Sequence, residues 1–136
     1  MSATEQSIGI ARTAAHAAAD KIAQDIVAID VSDRLAITDI FVIASAPSER
    51  QVNAIVDGIE EELSKQGLKP VRREGRSEGR WVLLDYAQVI VHVQHEEDLV
   101  FYALDRLWKD CPSVDLQLED ALQSSPQVAA SDDVPE

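Results

Sequence analysis

The chain has 136 residues, 46% hydrophobic and 27% charged, which is the make-up of one globular domain and close to excludes a two-domain enzyme. Its 12 basic against 25 acidic residues leave a net charge of −13, which argues against tight nonspecific nucleic-acid binding and favours a basic protein partner. Aromatic residues make up only 4% of the chain, so the core must be built from Val, Ile, Leu and Ala.

From residue 8 to 22, Ile8, Ala11, Ala15, Ala18, Ala19 and Ile22 recur at helical spacing, which predicts a first helix with a small-residue face. The segments DIVAIDV (25–31) and TDIFVIA (38–44) are β-branched and apolar and read as strands, the second buried on both faces. Ser48 with Gln51 three residues on forms a capping box. Val52, Ile55, Val56, Ile59 and Leu63 then line one helix face, and Gly67 supplies a left-handed stop. Glu60, Glu61 and Glu62 are placed on the solvated side of that helix. A short extended segment spans 70–73. WVLLDY (81–86) and VIVHV (89–93), two residues apart, read as a hairpin.

The stretch 96–108 has acidic residues in its first turn and Arg106 and Lys109 at its end, the charge order of a helix. After Lys109 there is no Lys or Arg, and seven acidic residues follow from Asp110 on. VDLQLEDALQ there is compatible with a short amphipathic turn or helix. The last stretch, SSPQVAASDDVPE, has too few large apolar groups to offset ordering entropy and reads as disordered. The order αββαβββα predicts an α/β domain around a mixed sheet.

Catalytic chemistry finds little support. His92, His95 and Glu96 lie close in sequence, but strand register does not make them converge on a metal. Cys111 has no His nearby in sequence and cannot form an intrachain disulfide. The five glycines are scattered, so no phosphate-binding loop is visible, and Asp39 stands without the second acid of a two-metal site. No catalytic, metal or cofactor residue is assigned. The N-terminus lacks the pattern of a secretory leader, and the run at 40–44 is far short of the roughly 20 apolar residues of a membrane helix, so a cytoplasmic location is expected.

The loop RREGRSEGRW gathers Arg72, Arg73, Arg76 and Arg80 around Gly75 and Gly79 on an otherwise acidic chain. It reads as a contact for RNA phosphate or an acidic surface, or as a flexible loop. Trp81, directly after it, is an interface anchor or a core ring.

TDIFVIASAPSERQV, GRWVLLDYAQVIVHV and HEEDLVFYALDRLW together resemble the ribosomal silencing factor (Iojap-like) family, in order and without large gaps from Ile8 to Trp108. The resemblance implies a nucleotidyltransferase-like α/β fold without that catalysis and a domain over 1–110; the acidic remainder, 111–136, lies outside the shared pattern and is expected from its composition to be a disordered tail. It further implies a translational repressor, without cofactor, that attaches to the fourteenth protein of the large ribosomal subunit and sterically blocks subunit joining. Glu74, Arg80, Trp81, Asp85 and Tyr102 are the candidate partner-binding residues. A minor contact with ribosomal RNA and homodimerisation stay open, as do a nucleotidyltransferase-like enzyme and a homodimeric adaptor as alternative functions. Ala87 and Gln88 stand where the family usually has Gly and Asp, so a left-handed turn there would cost Ala on the order of 1 kcal/mol.

Overall fold

Thr4 opens the first helix, α1 (Glu5–Asp20), because its side chain accepts the otherwise unsatisfied Ser7 N–H at 3.1 Å. The computed structural model describes residues 3–33, 35, 37–75, 80–96 and 111–118. The expected helix at 96–108 lies beyond Glu96 outside the described residues, as do Arg76, Tyr102 and the stretch from 119 on. The small-residue face of α1 is real: Ala11, Ala14, Ala15, Ala17 and Ala18 are buried together with Ile10.

Ile22 is not on that face. The helix stops two residues before it, and Ile22 sits at φ 63° with 73% of its surface exposed. Its N–H bonds to Ala19 O and the Ala23 N–H to Ala18 O, the paired bonds of a Schellman stop, with Ile in the left-handed position that glycine normally takes. The second helix, α2 (Glu49–Ser64), ends with the same two bonds, from Gly67 N–H to Ser64 O and from Leu68 N–H to Leu63 O. Here the left-handed residue is Gly67, at φ 81°. The Ser48 cap accepts from Gln51 N–H at 3.1 Å, and Val52, Ile55, Val56, Ile59 and Leu63 are fully buried, as the spacing predicts.

Five strands follow the order β1 (Ile26–Asp30), β2 (Ile40–Ala46), β3 (Arg72–Glu74), β4 (Trp81–Asp85) and β5 (Val89–His95), and they form one sheet in the spatial order β1-β2-β5-β4-β3. Only β2 and β5 run parallel; the other neighbours are antiparallel. The sheet is therefore mixed and flanked by helices, as expected. Every residue of β2 is buried, which is why that strand reads as a continuous apolar run rather than an alternating one.

Side-chain alternation separates two sheet faces. Ile40, Val42 and Ala44 of β2, Val89, Val91 and Val93 of β5, and Val82 and Leu84 of β4 join the core formed with α1 and α2. The opposite face carries a second cluster of Ile29, Val31, Phe41 and Ile43, with Leu35, Ile90 and Cys111 packed against it. Glu60 departs from its expected solvated place, since its two oxygens take Arg73 Nε at 2.7 Å and an Arg73 terminal nitrogen at 3.1 Å. That fork ties β3 to α2.

The expected boundary at residue 110 is displaced. Residues 112–114 run along the outer edge of β1, where Asp30 N–H bonds to Pro112 O, Val114 N–H to Ala28 O, and Ile29 pairs with Ser113. Leu116 is 7% exposed in the helix-side core, its carbonyl 2.9 Å from His16 Nε2, and Arg12 Nε donates to Asp115 O at 2.8 Å. This segment is extended rather than helical because its backbone groups are used by β1, whose open edge it closes.

Candidate interaction surface

Strand register decides which candidate residues meet. Glu74 lies opposite Leu83, Leu83 opposite His92, and His92 opposite Ile43, so all four occupy one row on the sheet face away from α1 and α2. Trp81 and Asp85, two residues on either side of Leu83, share that face. Glu74, Trp81 and Asp85 are therefore brought together. Arg80 is not: its side chain reaches Glu49 at the start of α2, 3.4 Å away, while its carbonyl accepts the His95 N–H. Tyr102 lies outside the described residues.

Trp81 is neither core nor free surface, with 40% of it exposed. Its indole Nε1–H donates to His92 Nδ1 at 3.2 Å, and the two rings are tilted by 36° with centroids 5.9 Å apart. Phe41 meets the same imidazole edge-on, centroids 5.3 Å apart. An aromatic row thus crosses from β2 through β5 to β4, buried at Phe41 and His92 and emerging at Trp81. Burial pushes the His92 pKa down to about 4, so the ring is neutral near pH 7.

The backbone beneath Trp81 is held by Gly75. At φ 82°, Gly75 approaches so closely that a Cβ there would stand 2.0 Å from Trp81 O. Any side chain is therefore excluded twice over, by conformation and by contact. The sequence showed Gly75 only as a turn residue of an Arg-rich loop; nothing local reveals a close approach to a strand six residues away.

The other candidates are engaged internally. Asp85 Oδ1 accepts the Ala87 N–H at 2.8 Å, and Arg72 lies 3.8 Å from its other oxygen and 3.4 Å from Glu74. Ala87 takes the left-handed conformation at φ 70°, the strain foreseen at this turn, and the Asp85 carboxylate offsets it. Among acidic and basic residues weighed for chemistry, Asp39 accepts from Thr4 N–H at 3.2 Å and lies 2.8 Å from Ser7 Oγ, which ties β2 to the start of α1. His92 and His95, three apart on one strand, face opposite sides of the sheet and do not converge. Among the described residues no three His, Cys, Asp or Glu side chains gather as a metal site, and no helix is long and apolar enough to cross a membrane.

The sheet thus presents, on the side away from α1 and α2, an apolar, ring-bearing face with one half-exposed indole at the start of β4. Comparison with known proteins gives the family. A family model described as ribosomal silencing factor during starvation matches residues 4–135. The ribosomal silencing factor of Bacillus subtilis is 39% identical over 107 residues, covering 79% of this chain and 91% of that protein. A crystal structure of a protein from Chromobacterium violaceum superposes with a TM-score of 0.70 at 31% identity, covering 74% of this chain and 84% of that one. A more distant mouse relative, 30% identical over 89 residues and covering 63% of this chain and 39% of that protein, is named mitochondrial assembly of ribosomal large subunit protein 1. The chain belongs to the ribosomal silencing factor family.

Proposed function

We propose that this protein is a cytoplasmic translational repressor that attaches to a protein of the large ribosomal subunit, the fourteenth, and sterically blocks its joining to the small subunit. The observation that carries this reading is Trp81: a large ring, backed by His92 and with its backbone held by Gly75, still leaves two fifths of its surface uncovered. Interface hot spots favour such aromatic anchors. Glu74, on the same face, and the net charge of −13 suit a basic ribosomal protein. The name of the mouse relative supports the large subunit as the side engaged. Occlusion needs no turnover and no cofactor.

The reading is tested by mixing purified protein with large and small ribosomal subunits and separating the products on sucrose gradients. The expected result is co-sedimentation with the large subunit and a smaller fraction of joined ribosomes. Co-sedimentation with small subunits only, or joining unaffected at saturating protein, refutes it. In parallel, incubation with nucleotides and magnesium or manganese should give no turnover; turnover abolished in Asp39→Ala would establish an enzyme instead.

A further inference from the structure

We propose that His92 is the positioning residue for Trp81, fixing by one hydrogen bond the pose in which the indole meets its partner. The proposal rests on the reading of Trp81 as the docking anchor.

An indole is a donor only, so the imidazole nitrogen facing Trp81 Nε1 at 3.2 Å carries no proton, and the ring proton resides on Nε2. That Nε2 is buried and, among the described residues, has no hydrogen-bond partner. The His92 side chain is 6% exposed on a sheet face whose neighbours in register are Ile43 and Leu83. Stability alone would favour an apolar residue here, because burying an unpaired N–H is unfavourable. The polar work this ring performs is to accept the bond from Trp81. Phe41, edge-on at 5.3 Å on the other side, fixes the plane of the imidazole in turn. A half-exposed ring at the start of a strand would otherwise sample several side-chain rotamers, and binding would have to select one. With the bond in place the uncovered part of the indole is presented in a single orientation.

The test uses full-length, nitrogen-15-labelled protein with His92→Phe and His92→Asn. Phenylalanine keeps the ring packing but cannot accept a bond, and asparagine restores an acceptor oxygen near the Nδ1 position. The Trp81 indole N–H resonance, assigned by its absence in Trp81→Phe, should be protected from exchange in the natural protein, exchange faster in His92→Phe, and recover in His92→Asn. Affinity for large subunits should fall about 3- to 10-fold in His92→Phe, the effect of freeing one side chain, and return in His92→Asn. Thermal stability should not fall in parallel. Normal affinity in His92→Phe, when Trp81→Ala binds weakly, overturns the positioning role alone; normal affinity in Trp81→Ala overturns it together with the docking reading. If His92→Phe does not fold, the imidazole nitrogen-15 shifts of the natural protein decide: protonation at Nε2 supports the proposal, and protonation at Nδ1 overturns it.

Discussion

Replacing Trp81 by alanine separates what the indole does for folding from what it does for binding. A tryptophan side chain presents up to about 250 Å². With 40% exposed, about 100 Å² remains for a partner to cover, and at about 25 cal/mol per Å² that is worth about 2.5 kcal/mol, or roughly 70-fold in affinity. The buried remainder, about 150 Å², together with the bond to His92, contributes roughly 4 to 5 kcal/mol to folding. Domains of this size have about 5 to 15 kcal/mol in hand, so the variant should fold, though less stably. Urea unfolding followed by far-ultraviolet circular dichroism gives the fraction folded. Co-sedimentation with large subunits at that known fraction then gives the intrinsic affinity. A fully folded Trp81→Ala protein with unchanged affinity, or an affinity loss that vanishes once the unfolded fraction is subtracted, refutes the reasoning.

Ile22→Gly should raise the melting temperature by about 2 to 6 °C, because it removes roughly 1 to 2 kcal/mol of left-handed strain from an exposed residue, less the entropy glycine loses on folding. Differential scanning calorimetry checks it, and an unchanged or lower melting temperature contradicts the Schellman reading. Gly75→Ala should do the reverse and lower both stability and large-subunit binding, since the new Cβ must displace the Trp81 carbonyl 2.0 Å away; unaltered binding would separate Gly75 from the surface. For pH, the His92 pKa falls from 6.5 to about 4 on folding, so the unfolded chain binds the proton more readily. That contribution is complete above about pH 6.5 and lost as pH falls to about 4, a difference of about 3 kcal/mol that His92→Phe should abolish in urea titrations. Removing residues 122–136 should leave the melting temperature within a few degrees, whereas removing everything from 111 on should lower it well beyond that, because Leu116 leaves the core and β1 regains an open edge.

Much of this fold is local and therefore readable. The α2 helix follows from Ser48, the spacing of five apolar residues and Gly67, each acting within four residues of its partner. The burial of β2 follows from its unbroken apolar run, and the strain at Ala87 from a two-residue connection between strands. Ile22 fooled the periodic pattern because a helix boundary depends on the stop, and here an isoleucine occupies a position that glycine usually marks.

What the chain did not disclose by itself depends on pairings distant in sequence. Whether Trp81 was anchor or core was undecidable from its neighbours, since its partial exposure comes from where β4 sits in the sheet and from an imidazole on β5. Arg80 and Trp81 are adjacent, yet strand alternation sends one toward α2 and leaves the other on the far face. Gly75 and the segment 112–114 derive their roles from close backbone approaches to Trp81 and β1, and no periodicity encodes those. Composition and short-range patterning determined the elements and the acidic character of the surface. The tertiary structure decided which face the candidate residues share, because register and sheet order are set by the packing of the whole chain.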